Sequence, residues 1–177
     1  MRELQTNRLV LREITEEDAE ALFLYFSQDV AMKFYGQNPF QHLDQAVRLT
    51  RAMKNAEIEK KAFRWGMESK ETGKLIGTIG FNQYQPWNNK AEIGYDLNPE
   101  YWRKGYTEEA LRAILSYGFE ELDLHRIGAT VFLENEPSYK LLEKLGFSRE
   151  GVLRDYLYSY ESFHDVFMYS LLKWEWS

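Results

Sequence analysis

Apolar and polar positions along this chain change period from two to about 3.6 and back, and the switches mark out elements. Leu9-Val10-Leu11-Arg12 reads as an edge strand. Thr15-Glu16-Glu17-Asp18 is a capping signal, and Ala19, Leu22, Phe23 and Phe26 follow it at helical spacing. Gly36-Gln37-Asn38-Pro39 marks a break, and a charged helix is predicted over Leu43–Lys60. Phe63–Met67 and Leu75–Phe81 read as strands around the Lys70–Gly73 turn. A polar loop over Gln83–Asn89 leads to a strand at Glu92–Leu97, and an amphipathic helix runs from Thr107 to Leu122. Arg126–Phe132 is a strand, Asn135–Leu145 a helix closed by Gly146, and His164–Leu172 a last long strand.

That order predicts an α/β (α+β) fold with a mixed, mostly antiparallel central sheet flanked by helices. The antiparallel meander in the middle separates it from a doubly wound sheet. With 177 residues and no repeat, low-complexity segment or Pro/Gly-rich linker, a single domain spanning 1–177 is expected.

Composition removes several classes of function. The chain has no cysteine, which excludes disulfides and a cysteine nucleophile. The three histidines, His42, His125 and His164, lack metal-ligand spacing, so no metal site is expected. The net charge of −6 argues against general affinity for nucleic acid or anionic membranes and is compatible with a cationic substrate. No apolar run reaches the ~18 residues of a membrane span, and the N-terminus shows no signal-peptide pattern, so a cytoplasmic location is expected.

The junction with most chemical content is Tyr101-Trp102-Arg103-Lys104-Gly105-Tyr106-Thr107, between the Glu92–Leu97 strand and the following helix. A helix N-terminus offers free N–H groups and a favourable dipole to an anion. Gly105 allows close backbone approach, and Arg103 and Lys104 add charge. The spacing fits neither GxxxxGK[ST] nor a three-glycine dinucleotide fingerprint. By itself the junction reads equally as a pyrophosphate cradle or as an ordinary strand-to-helix turn.

Together with a second block, His125–Val131 through Asn135-Glu136-Pro137-Ser138 to Glu143-Lys144-Leu145-Gly146-Phe147, it resembles motifs A and B of the GNAT superfamily of N-acetyltransferases. Thr6–Arg12 and Ala91-Glu92-Ile93-Gly94-Tyr95 narrow the resemblance to the RimJ/RimL branch, which includes N-terminal acetyltransferases of ribosomal proteins and many small-amine acetyltransferases. The family loop Q/R-x-x-G-x-G/A is matched by Trp102, Gly105 and Thr107, with departures at the first and last positions. The resemblance implies acetyl-CoA as co-substrate, with its pyrophosphate held by Arg103, Lys104, Gly105, Tyr106 and Thr107. It further implies pantetheine contacts from the backbone of Ile93, Asp96 and Leu97 and from the Asn135 side chain. Asn135 equally suits a helix N-cap.

Without cysteine, acetyl transfer is expected to be direct, from thioester to amine. At pH 7 an α-amine, titrating at about 7.7–8.0, is deprotonated for about 1 kcal/mol, whereas a lysine needs about 4.6 kcal/mol. Glu92 is the candidate base, set against a structural ion pair with a neighbouring strand; Glu13 is a lesser candidate. The tyrosine that many superfamily members place seven residues after the motif-B Asn is Leu142 here, and Tyr139 is shifted by three. Ser138, three residues after Asn135, takes the acid or thiolate-contact position of the RimJ/RimL branch.

Phe34, Tyr35, Tyr84, Trp87, Tyr156, Tyr158 and Tyr160 fall in segments that border the acceptor site in this family, and the last three alternate at strand period. The expected partners are acetyl-CoA and an amine, favoured as a protein N-terminal α-amine, with a small-molecule amine, amino acid or antibiotic as the alternative. A non-catalytic acyl-CoA sensor is the rival of a different class. The aromatic C-terminal segment, Trp174 and Trp176 included, suggests a homodimer.

Overall fold

Strands β1 (Leu4–Gln5) and β2 (Leu9–Glu13) precede helices α1 (Ala19–Phe26), α2 (Asp29–Met32) and α3 (Leu43–Ile58). Strands β3 (Phe63–Ser69), β4 (Leu75–Gln85) and β5 (Lys90–Leu97) follow, then α4 (Tyr106–Ser116), β6 (Arg126–Phe132), α5 (Glu136–Lys144), β7 (Ser148–Ser159) and β8 (Ser162–Leu172). This computed structural model describes all residues, Met1–Ser177. The eight strands form one sheet in the order β1-β2-β3-β4-β5-β6-β8-β7. Only β5 and β6 run parallel.

Most predicted elements stand within a few residues of their expected ends, and the departures have physical causes. Leu9–Arg12 is not an edge, because β1 pairs outside it through Leu4 and Leu11. Two residues carry no periodicity to read. The predicted helix to Leu122 is α-helical only to Ser116 and widens into a π turn over Tyr117–Glu121. Strand β7 was absent from the expected order: its residues are mostly exposed, and register shifts at Arg149/Gly151 and Leu153/Leu157 break its pairing with β8. A polar, bulged edge strand carries neither alternation nor an apolar run.

The sheet is covered on both faces. On one, α4 buries Ala110, Leu111, Ile114 and Leu115 against a cluster that includes Trp65, Ile79 and Phe81. On the other, Leu22, Tyr25 and Phe26 of α1 pack with Ala46 of α3 and Leu75. Each large side chain so buried contributes about 1.5–3 kcal/mol, which fixes the helices against the strands that carry the site. Helix α5 stops at Gly146, whose φ of +93° is the left-handed conformation glycine tolerates, and Phe147 N–H closes the end on the Leu142 carbonyl at 3.0 Å.

Candidate active site

The site begins where the sheet comes apart. The parallel ladder has only three rungs, Lys90–Arg126, Ala91–Ile127 and Glu92–Gly128, although β5 continues to Leu97 and β6 to Phe132. Backbone direction alternates along β5. The Asn89 carbonyl accepts from His125 N–H on the β6 side, while Asn98 N–H donates to Ile76 on the β4 side. Odd-numbered residues therefore turn their backbone toward β6, and beyond the last rung Ile93 and Tyr95 present it to an opening. Beside this opening lies a cavity of about 670 Å³.

Side chains of β5 alternate between the two faces of the sheet. Glu92, Gly94 and Asp96 look toward α1 and α3; Asp96 accepts from Tyr25 of α1 at 2.6 Å. Tyr95 looks the other way, and its hydroxyl lies 2.7 Å from Ser138 Oγ in the first turn of α5. The opening thus has a carboxylate on one face and a linked hydroxyl pair on the other.

Glu92 lines the cavity and lies over Gly128, its Cγ 3.5 Å from the Cβ that glycine lacks. Burial raises its pKa, with Lys90 and Arg126 opposing from a distance. It has no ion-pair partner, because the Arg126 guanidinium is taken up by Glu150 through two bonds of 2.6 Å. The structural ion pair weighed against a base role is therefore not formed. Glu13 is salt-bridged to Lys54, away from this cavity. Tyr95 is pushed up to about 12, first by burial, with the Ser138 hydrogen bond pulling the other way. Its hydroxyl is thus protonated at neutral pH.

The Arg103–Thr107 loop sits at the start of α4. Gly105 has a φ of +78° and Arg103 one of +60°, and the first hydrogen bond of the helix is Glu109 N–H to the Gly105 carbonyl at 3.1 Å. The N–H groups of Arg103 through Glu108 are left without a protein acceptor. Arg8 secures the loop by donating to the Lys104 carbonyl at 2.9 Å and to Glu109 at 2.7 Å, and it stacks on the Tyr106 ring. Glu108 is held by Lys144 and Arg112, so both acidic residues of the first turn are balanced. Arg103 and Lys104 remain exposed and outside any salt bridge. Thr107 offers a free N–H and a hydroxyl with no protein partner.

One expected pantetheine contact is placed differently. The Asp96 carbonyl points at Gly77 of β4, within 2.4 Å of that glycine's Cβ position, and its carboxylate is committed to the α1 face. The Leu97 carbonyl accepts from the Trp102 indole at 2.7 Å. Leu97 shares the odd parity of Ile93 and Tyr95, so its backbone faces the same side as theirs. Asn135 precedes α5 but makes no side-chain cap; only its carbonyl accepts, from Ser138 and Tyr139 N–H. Its amide lines the cavity with no protein partner.

Of the predicted aromatics, Phe34, Tyr35 and Tyr156 line the cavity. Tyr84 packs on Phe63, Trp87 is exposed, and Tyr158 pairs with Phe163. Tyr160 lies past the end of β7 with a φ of +50°, and its hydroxyl donates to the Met32 and Gln37 carbonyls, tying the β7–β8 tip to the segment after α2. Tyr160 therefore stands outside the strand alternation expected for the three tyrosines. Trp176 turns back onto Phe119, leaving Trp174 exposed beside His125.

Residues the sequence did not single out as chemical complete the α1 face. Arg64 of β3 donates Nη2 to Asp96 at 2.7 Å and Nε to the Thr78 hydroxyl at 2.9 Å; Thr78 donates to Asp96 at 2.6 Å. Burial lowers the Arg64 pKa, and Asp96 outweighs it, so the guanidinium stays charged. Tyr35 beside it is pushed up to about 12, mainly by burial.

A split parallel strand pair next to a helix start stripped of acceptors is the framework of an N-acetyltransferase. The acetyltransferase (GNAT) domain model matches residues 8–148, and the chain belongs to that family. The uncharacterized N-acetyltransferase YoaA of Bacillus subtilis is 45% identical over 170 residues, covering 96% of each chain. The crystal structure of a GNAT-family acetyltransferase from Bacillus anthracis superposes with a TM-score of 0.86 at 31% identity, covering 97% of this chain and 99% of that one. The [ribosomal protein uS5]-alanine N-acetyltransferase of Escherichia coli is 27% identical over 98% of this chain and 92% of its own length. The protein is thus an acetyltransferase of the single-domain α/β GNAT fold.

Proposed function

We propose that the protein transfers acetyl from acetyl-CoA directly to a primary amine presented to Glu92, and that the acceptor is a protein N-terminal α-amine, as in the RimJ/RimL branch. The observation that carries the reading is the opening beyond the Glu92–Gly128 rung, with Glu92 on one face and Tyr95–Ser138 on the other. Acetyl-CoA supplies an activated thioester. The free N–H groups of Arg103–Glu108, with the Arg103 and Lys104 charges, suit its pyrophosphate, and the Ile93 and Tyr95 backbone and the Asn135 amide suit its amide-bearing arm. Glu92 receives the amine proton, directly or through water. The name of the E. coli relative, an alanine N-acetyltransferase of a ribosomal protein, supports the choice of acceptor.

Magnitudes favour one role for Ser138. A thiol titrates near ~8.5, so full proton transfer from a phenol at about 12 is uphill by roughly 5 kcal/mol. Ser138 therefore acts as a hydrogen-bond donor to the leaving sulfur, with Tyr95 holding its hydroxyl in place. One bond to a charged atom is worth about 1.5–3 kcal/mol, so Ser138→Ala lowers kcat about 10- to 100-fold. Tyr95→Phe lowers it less, and the double variant is no worse than Ser138→Ala alone. Steady-state kinetics check this; an unchanged kcat in Ser138→Ala removes the contact.

The reading itself is tested by coenzyme A release with peptide pools bearing free or blocked N-termini. Turnover confined to free ends is the expected result. Turnover only with small amines moves the acceptor to that class, and ligand binding without turnover on either leaves a sensor.

A further inference from the structure

We infer that Arg64 and Asn82 form a subsite for the carbonyl oxygen next to the acceptor amine, so that the preferred substrate is an α-amino amide, the chemistry of a peptide N-terminus. This rests on the acetyl-transfer reading above and specifies its acceptor.

Two of the three Arg64 nitrogens are bound, Nη2 to Asp96 and Nε to Thr78. The third, Nη1, has no protein partner and lies 3.1 Å from the Cβ position that Gly94 lacks. The Asn82 amide stands 2.7 Å from the same point, also without a protein partner. Arg64, Asn82 and Gly94 all line the cavity. A charged donor and an amide thus converge on a spot kept open by the absence of one methyl group.

Gly94 and Glu92 are two apart on β5 and share a face, about 7 Å from each other. An amine hydrogen-bonded to Glu92 and an oxygen hydrogen-bonded to Arg64 Nη1, each over about 3 Å, leave room between them for one Cα and one carbonyl carbon. Charge selects the kind of oxygen. Asp96 already balances Arg64, and Glu92 stands beside them, so a carboxylate would bring a third negative group to a face with one buried cation. A neutral amide carbonyl adds none and still accepts from the guanidinium.

The test compares alaninamide, alanine and isopropylamine as acceptors, each kcat/KM corrected for the fraction of neutral amine. Alaninamide is expected to exceed isopropylamine by about 10- to 100-fold, the range of one hydrogen bond to a charged group, and to exceed alanine. In Gly94→Ala the new methyl occupies the spot at the expense of the exposed Asn82 side chain, and the alaninamide-to-isopropylamine ratio falls toward one. Asn82→Ala lowers it in the same direction. Equal rates for all three overturn the subsite, and preference for alanine overturns its neutral character. Calorimetric binding of alaninamide to the coenzyme-A complex keeps the two readings distinguishable. Binding that weakens at least tenfold in Gly94→Ala supports the subsite even without turnover, and binding indifferent to that change overturns it.

Discussion

Glu92→Gln lowers kcat/KM about 100-fold at pH 7 for an α-amine acceptor, and the deficit shrinks as pH approaches 9. A positioned base typically contributes 10²–10⁴-fold, and an α-amine with a pKa near ~8 needs less help once solvent has deprotonated it. The same substitution has the opposite effect on stability. Burial raises the Glu92 pKa in the folded protein, so ionised Glu92 opposes folding at neutral pH. A raised folded pKa gives stability that is fully present below the unfolded value, ~4.3, and is lost as pH rises through the folded value. Glutamine escapes that loss, so the variant melts higher than the parent at pH 7–8, and the gain disappears toward pH 4. Coenzyme A release against pH and thermal melts across the same range check both halves. A deficit that is constant with pH removes Glu92 as the base, and a variant that melts lower at pH 7 overturns the raised pKa.

Asp96→Ala has the largest expected cost in stability. It leaves the Arg64 guanidinium, whose side chain is 11% exposed, without its counter-ion, and removes the acceptor for the Tyr25 and Thr78 hydroxyls. Breaking a buried ion pair from one side costs about 3–5 kcal/mol. For a chain of this size that lowers Tm by roughly 10 °C. Replacing both partners, as Arg64→Met with Asp96→Leu, costs less than Asp96→Ala alone, because no charge is left unpaired. Denaturant unfolding of the single and double variants supplies the comparison. If the double variant is worse by the sum of the singles, the pair is not coupled.

The contrast between those two carboxylates shows what the sequence made legible. The Arg103–Thr107 loop and the α5 N-terminus are local: strand, loop, glycine and helix follow one another within a few residues, and their geometry follows from their order. The parity of β5 was legible too, since Glu92 and Gly94 share a face by period two. Asp96 was misjudged because its role depends on Arg64 and Tyr25, 32 and 71 residues away in the chain. No spacing rule relates such positions. Tyr95 closes the Ala91–Tyr95 motif, and only the approach of α5 to the opened strand brings it to Ser138. Asn135 had the right residue type for a cap, and its backbone, at φ −84° and ψ 64°, does not adopt the extended cap geometry. Strand β7 was hidden by its polarity.

A β-sheet ordinarily seals its two faces from each other, because each strand is stitched to the next along its length. Here the stitching between two central strands stops at Glu92–Gly128, and the sheet becomes a partition with a slot in it. Groups from both faces, Glu92 on one and Tyr95 with Ser138 on the other, therefore line a single space.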